Sequence, residues 1–529
     1  MTSPIPTPPP PPAGTPPVAP ASAQQEFPDG RVALADASAL DGGRFANPDL
    51  TPVPIERRTW GTYNYLALWV GMAHCIPSWT LASGLVALGM DWVQAVVTIA
   101  LANAIVLVPM LLTGHAGTKY GIPFPVFARA AFGLRGANLP ALVRAAVACC
   151  WFGIQTWIGG EGIFLLAGKL FGHGWQTAGA IAGTPWTQWL SFLVFWLIEV
   201  AVITRGMETL RKVENWAAPL VIAGALALLG FMAAKAGGFG PLLDQPSQLG
   251  WGSAFWKVFF PSLMGMIGFW STLSLNIPDF TRFGGSQRAQ LWGQTLGLPT
   301  TMTLFAVLSV LVTSGSQAVY GVPIWDPIAL SAKMSDTVGA LFALVIVMVA
   351  TLSVNIAANV VSPAYDLSNL LPKLIGFRTG ALITGVVGVL IMPWKLIANP
   401  HVYIYTWLGF VGGLLGTVAG ILIADYWLLR RTRLALGELY LPAGRYWYTG
   451  GWNPRAVVAF VIGGLLAVGG SYSTVVKGVK QGPFPADGVI PFLKPLADYG
   501  WAVGLASALL LYGLLSLGGG RDQASTAAR

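Results

Sequence analysis

Charge is what this sequence has least of. Only 10% of its residues are Asp, Glu, Lys or Arg, against about a quarter in soluble proteins, and that excludes an ordinary soluble domain. Histidine and cysteine are scarce as well. The four histidines, His74, His115, His173 and His401, lie in separate segments, and no HExxH or GxSxG motif occurs. The usual metallohydrolase and serine-hydrolase constellations are therefore missing, and an enzyme is not expected. The three cysteines, Cys75, Cys149 and Cys150, fall inside apolar runs, at spacings that suit neither a zinc site nor a disulfide framework. No cleavable signal peptide opens the chain. Instead residues 1–55 begin with "PIPTPPPPPAGTPPVAP" and carry no apolar periodicity, the composition expected of a disordered cytoplasmic leader.

Apolar residues are what abounds. They make up 54% of the 529 residues, and the mean hydropathy is +0.64, so the chain belongs to the membrane class. Runs near the roughly 20 residues that cross a bilayer recur from Trp60 to Leu517. They predict twelve spans, at 60–88, 91–114, 137–171, 187–204, 215–235, 253–280, 291–315, 337–362, 377–394, 401–429, 454–472 and 498–517. The net charge of +9 is not a nucleic-acid signal, because alternate loops and the adjoining span ends collect 22 of the 30 Lys and Arg. That asymmetry is the positive-inside pattern, and it predicts both termini in the cytoplasm of a plasma membrane, the inner membrane in bacteria. A channel would need a continuous polar path ringed by charge or carbonyls, and no such pattern is present.

Two spans are interrupted. The first carries Gly71 and Pro77 around a polar His74; the sixth carries Gly265, Gly268 and Pro278. Proline removes a backbone donor and glycine weakens a helix, so both spans are expected to be discontinuous. Their separation by five spans predicts two five-helix repeats of inverted topology, which place binding sites at broken helices near the midplane. In that scheme the third and eighth spans correspond. The third carries "WFGIQTWIGG", with Gln155 four residues after Trp151, and the eighth carries Asn355 and Asn359 one turn apart. A buried carboxamide left unpaired costs about 1–3 kcal/mol, so both equivalent helices bring to the centre a group that requires a partner.

The segments "GTKYGIPFPVFARAAFG", "WFGIQTWIGG", "LNIPDFTRF", "NIAANVVSPAYDLSN" and "ADYWLLRR", in this order from Gly117 to Arg431, resemble the nucleobase–cation symporter-1 family, and particularly its bacterial hydantoin, allantoin and uracil carriers. The resemblance implies an all-α polytopic fold of twelve transmembrane helices, with a LeuT-like 5+5 inverted repeat plus two helices. It divides the chain into the leader (1–55), a transport core (56–430), two additional helices (431–518) and a cytoplasmic tail (519–529). It implies a symporter importing a nucleobase or related cyclic amide by alternating access, as a monomer and without a cofactor other than a coupling ion. Carried over by position, Trp151 stacks on the ligand and Gln155 reads its amide edge. Trp270, or its neighbour Phe269, covers the opposite face beside Gly268, and Asn359 adds a polar contact. Cys75 stands where the family places an amide residue.

The chemistry of those groups agrees with the carry-over. Hydantoin, allantoin and uracil are flat rings edged with alternating N–H and C=O groups. A carboxamide offers one donor group and one acceptor to such an edge, and aromatic faces hold a flat neutral ring. For the coupling ion the resemblance implies sodium held by carbonyls of Gly71, His74 and Ala350 and the hydroxyl of Ser353. Val354 stands where a threonine usually supplies a second hydroxyl. Protons are the competing choice, with His74 or Glu161 as the titrating group, since an ionisable residue within a span is a functional candidate by default. Glu199 is expected to pair locally with Arg205. Asp279 with Arg282, and Asp425 with Arg430, are expected to be ion pairs or gate contacts at cytoplasmic span ends.

Overall fold

The computed structural model describes residues 24–517 except 41, 206, 334–336, 398 and 443. Among the described residues, nine helices are long and apolar enough to cross a bilayer, and three shorter apolar helices, Ile76–Ala87, Phe377–Leu390 and Pro454–Val468, fill the remaining places. The arrangement is consistent with the twelve expected spans.

The first span is two helices, Thr62–Ala73 and Ile76–Ala87. His74 ends the first half with a non-helical backbone, and Cys75 is fully extended (φ −133°, ψ 163°). Pro77 explains the restart: it lies in the first turn of the second half, where a missing N–H breaks no helical bond. The freed polar groups are recaptured, as they must be in lipid. The His74 Nδ1–H donates to the Val70 carbonyl at 2.5 Å, and the Tyr403 hydroxyl donates to the Pro77 carbonyl at 3.1 Å.

The sixth span corrects the sequence reading. It runs unbroken from Ser253 to Asn276 and yields only at Ile277, before the short helix Pro278–Thr281. Gly265 and Gly268 serve close packing: a Cβ on Gly265 would come within 2.8 Å of the Ile404 carbonyl oxygen, and one on Gly268 within 2.3 Å of that of Leu408. Small residues at a membrane helix contact let backbones approach, and that approach to the tenth span (His401–Leu429) is what these glycines provide.

The third span, Asn138–Phe171, is the central element. Its "WIGG" glycines admit the fourth span, Trp186–Arg205, at very short range: a Cβ on Gly160 would meet the Phe192 Cα at 2.6 Å, and one on Gly159 the Phe195 ring at 2.2 Å. The two helices run antiparallel, so one turn further along this seam Thr156 meets Glu199. The eighth span, Thr337–Asn359, lies on the third as well and kinks at Val360 into Val361–Leu370. The last two spans, Pro454–Val468 and Gly500–Leu517, pack on the tenth, where Gly416 and Gly420 face the carbonyls of Trp501 and Leu505.

The leader also departs from expectation. Residues 1–23 and the tail 519–529 lie outside the described residues. Residues 24–55 are not a featureless coil: Gln24–Glu26 pairs antiparallel with Val32–Leu34, and Val32, Leu40, Leu50 and Val53 are buried. Arg58 organises this segment, its guanidinium donating to the carbonyls of Val53 (2.8 Å), Val32 (2.9 Å) and Tyr120 (3.2 Å). Tyr440 donates to the Leu50 carbonyl at 2.8 Å. These partners come from distant parts of the chain, so local periodicity carried no sign of the order.

Candidate functional site

Trp151 and Gln155 lie one turn apart on one face of the third span, both buried. Five aromatic rings form a chain of contacts with Trp151. Trp151 meets Phe269 nearly edge-on, with ring centroids 5.1 Å apart at 76°, and Tyr403 and Trp407 of the tenth span at 6.1 and 6.3 Å. Phe269 in turn meets Trp270 at 4.9 Å and 88°, and Trp270 meets Trp69 of the first span at 5.2 Å and 87°. Phe269 is thus the sixth-span ring next to Trp151, with Trp270 beyond it towards the first span. Tyr403, Trp407 and Trp69 were not anticipated; only a tertiary contact between the first, sixth and tenth spans distinguishes them from packing residues. The second tryptophan of the motif, Trp157, packs instead between Trp189, Phe192 and Trp394.

The polar groups around these rings are incomplete. Gln155 is 3% exposed, yet its Oε1 has no hydrogen-bond partner among the described residues, and the same holds for the indole N–H groups of Trp69, Trp270 and Trp407. Asn359 donates through Nδ2 to the Asn355 Oδ1 at 2.9 Å, which orients its amide and leaves its own Oδ1 and a second N–H for another partner. The candidate site thus offers packed aromatic rings, one orphaned carbonyl oxygen, three indole N–H groups without described partners and, on the eighth span, a half-used carboxamide. Those group types suit a flat molecule that carries both N–H and C=O groups.

The remaining sequence candidates divide. Cys75 is at the break, its Sγ 3.2 Å from the Ser78 hydroxyl. Gly268 is turned towards the tenth span, so its missing side chain is committed to helix packing rather than to the aromatic enclosure. His74 is held by Val70 and packs against Phe305 at 4.9 Å. Ala350, Ser353 and Val354 are buried in the eighth span. Beside Ala350 lies a cavity of about 140 Å³ with an almost wholly apolar wall that includes Ile76, Trp79, Phe305 and Ile346. Glu161 lies in the C-terminal half of its span close to Asp326, whose carboxylate accepts the Ile328 N–H and caps the short helix Pro327–Ala332.

The three ionic expectations divide. The expected Glu199–Arg205 pair falls on a side chain outside the described residues; among those described, Thr156 and Asn355 hold the two Glu199 oxygens, each at 2.7 Å. Asp279 accepts the Phe124 N–H at 2.8 Å, while Arg282 donates to the Asp49 carbonyl at 3.0 Å and covers the Tyr365 ring. Asp425 and Arg430 do pair, at 2.7 Å. A further buried pair, Arg144 with Asp366 at 3.5 Å, was not foreseen.

A family model described as permease for cytosine/purines, uracil, thiamine and allantoin matches residues 52–504. The chain belongs to this permease family. The allantoin permease of Bacillus subtilis (strain 168) is 40% identical over 479 residues, covering 90% of this chain and 94% of that relative. The purine-uracil permease NCS1 of Arabidopsis thaliana is 44% identical over 436 residues, 81% of this chain and 72% of the plant protein. Among solved structures, Mhp1, a nucleobase-cation-symport-1 family transporter in a closed conformation with bromovinylhydantoin bound, superposes with a TM-score of 0.70. The two are 26% identical, with 88% of this chain and 94% of that one covered. The fold is accordingly the LeuT-like ten-plus-two arrangement. The protein is a multi-pass membrane transporter of this permease family rather than an enzyme.

Proposed function

We propose that this permease imports allantoin or a closely related cyclic amide such as hydantoin or uracil, with the amide edge read by Gln155. The observation that carries this reading is the orphaned Gln155 Oε1 beside Trp151. A ligand N–H is the group that completes it, and a site built to hydrogen-bond an amide edge rejects analogues lacking that edge strongly. Trp151 and Phe269 supply flat apolar contact, Trp270 closes the enclosure towards the first span, and Asn359 offers its free Oδ1. The similarity to an allantoin permease supports putting allantoin first among the candidates.

The coupling ion is a proton in this reading. Sodium would need the carbonyls of Gly71, His74 and Ala350 with the Ser353 hydroxyl, and Val354 offers no oxygen where another hydroxyl would complete the set. The apolar cavity beside Ala350 fits a hard cation poorly. The bias of Lys and Arg supports a cytoplasmic location for both termini in a bacterial inner membrane. The test is uptake of radiolabelled allantoin, hydantoin and uracil into proteoliposomes, with sodium and proton gradients imposed separately. Accumulation of none of the three overturns the ligand class; accumulation driven by sodium alone overturns the proton.

A further inference from the structure

Thr156 follows Gln155 in sequence and therefore points about 100° away from it around the helix. It faces a buried polar cluster that no ligand contact requires. Glu199 of the fourth span is fully buried. Its Oε2 lies 2.7 Å from the Thr156 hydroxyl, and its Oε1 accepts from the Asn355 Nδ2 at 2.7 Å. The Thr156 hydroxyl is also 2.7 Å from the Phe152 carbonyl oxygen, which receives a second N–H from Asn355 at 3.0 Å.

Counting hydrogens shows what this cluster allows. Thr156 has one hydroxyl hydrogen and two acceptors at equal distance. With Glu199 ionised, that hydrogen goes to Oε2, and the two Asn355 N–H groups satisfy Oε1 and the Phe152 carbonyl. With Glu199 protonated, the new hydrogen on Oε2 donates to the Thr156 oxygen, whose own hydrogen swings to Phe152. Every donor is used in both states, and the change between them is one hydroxyl rotation.

No cation among the described residues pairs with the carboxylate. On the third span the nearest titratable side chains are Glu161 on one side of Thr156 and Cys149 and Cys150 on the other. Arg144 and Lys169 are 12 and 13 residues distant, about 18–20 Å by rise. The ninth span brings Arg378 at its end, and the fifth brings Lys235 at its far end; its charged residues between 208 and 214 lie outside the described side chains. The eighth span carries none. On the fourth span itself Arg205 is six residues along from Glu199, with its side chain outside the described residues. An ionised carboxylate with no counter-charge among the described residues is expensive in a bilayer interior, yet the hydrogen-bond set is complete for either state.

We propose that Glu199 is the proton-binding site of this transporter, linked to the ligand site through Asn355 and Asn359. The path is continuous: Glu199 Oε1 to Asn355 Nδ2 (2.7 Å), Asn355 Oδ1 to Asn359 Nδ2 (2.9 Å), and the free edge of Asn359 to the ligand. Glu199 takes one proton from solution on the loading side to become a neutral acid, and returns it on the other side. A ligand seated at Asn359 displaces water next to the cluster and makes the ionised state costlier, so binding raises the proton affinity of Glu199. By reciprocity, protonation raises ligand affinity by the same factor. Ligand affinity therefore falls as pH rises through the Glu199 midpoint. The inference rests on the proposed cyclic-amide reading for the identity of the ligand, but not for the existence of the proton site.

Glu199→Gln and Thr156→Val separate the two. The glutamine reproduces the protonated arrangement, its N–H₂ donating to Thr156 and its carbonyl accepting from Asn355. Infrared difference spectra of ligand-free protein, recorded on pH steps from about pH 5 to about pH 9, should show a protonated-carboxyl C=O band that titrates in wild type and is missing in Glu199→Gln. Thr156→Val removes the one hydroxyl that stabilises the ionised form, so the midpoint should move up by roughly one pH unit; this variant carries the test if the glutamine variant does not fold. In proteoliposomes Glu199→Gln should keep allantoin counterflow and lose accumulation driven by a proton gradient, while Glu161→Gln keeps both. No titrating band, or wild-type gradient-driven accumulation in Glu199→Gln, overturns the proposal. Absence of allantoin, hydantoin or uracil binding in wild type, with the band still titrating, overturns the ligand reading and leaves the proton site standing.

Discussion

Replacing Gln155 with methionine should move stability and binding in opposite directions. The side chains have similar length and volume, so packing changes little. In the ligand-free protein the substitution deletes a buried oxygen that has no partner among the described residues, which relieves a desolvation penalty of about 1–3 kcal/mol. A gain of about 1 kcal/mol corresponds to a rise in Tm of about 1–2 °C in a chain of this size. In the complex the same change leaves a ligand N–H facing a thioether. Losing that hydrogen bond and stranding the donor costs another 1–3 kcal/mol or so, a factor of about 5 to 150 in Kd. The assay is thermal unfolding of purified protein with and without allantoin, alongside titration by tryptophan quenching. Wild type should gain Tm with allantoin and the variant should not, while starting from the same or a higher value. A lower ligand-free Tm together with undiminished binding would refute the argument, because Gln155 would then be a structural residue whose carbonyl has an internal partner.

Trp151→Ala should weaken allantoin binding by about 1–3 kcal/mol, the range found when an aromatic platform under a base is removed; unchanged Kd by isothermal titration would remove Trp151 from the ligand site. Gly268→Ala should reduce the folded yield sharply, because its Cβ would lie 2.3 Å from the Leu408 carbonyl oxygen; gel filtration in detergent decides, and a monodisperse variant at wild-type yield would show that the sixth and tenth spans can separate. Val354→Thr should create or strengthen sodium dependence of allantoin affinity at fixed pH and ionic strength. No sodium effect would mean that the new hydroxyl bonds a carbonyl one turn back, or that this face holds no ion.

The fold was legible where a residue type has only one physical meaning in lipid. Pro77 beside His74 fixed the break of the first span to within a residue, because a freed backbone in hydrocarbon requires a local solution. The same reasoning misplaced the second break. Gly265 and Gly268 answer to the tenth span across a helix interface, and sequence does not distinguish a glycine that breaks a helix from one that admits a neighbour. Trp151 and Gln155 were legible because a carboxamide one turn from an indole is rare in an apolar run. Phe269, Tyr403 and Trp407 were ambiguous or invisible, since a ring in a membrane span is ordinarily packing. Glu199 was read as an ion pair with the nearest arginine in sequence. The partners described for it sit 43 and 156 residues away, beyond the reach of any local pattern.

The third span separates two tasks by rotation. Residues 151 and 155 face the aromatic enclosure, and residues 152 and 156 face the seam with the fourth and eighth spans, where Phe152 and Thr156 meet Asn355. If the two proposed roles hold, a rigid helix with ligand contacts on one face and a proton-dependent cluster on the next cannot tilt without disturbing both. The seam is held by backbone contact, since Gly159 and Gly160 leave no side-chain volume to absorb a shift against Phe195 and Phe192. The fourth span must therefore move with the third or break the Thr156–Glu199 bond. Asn355 is the one residue that touches both sides, reaching Glu199 through its N–H₂ and Asn359 through its carbonyl. Coupling in this arrangement needs no long pathway. It needs one amide whose two ends are committed to different groups, and Asn355→Leu, which keeps the side chain's size and deletes both ends, should weaken the pH dependence of ligand binding while leaving Trp151 and Gln155 in place.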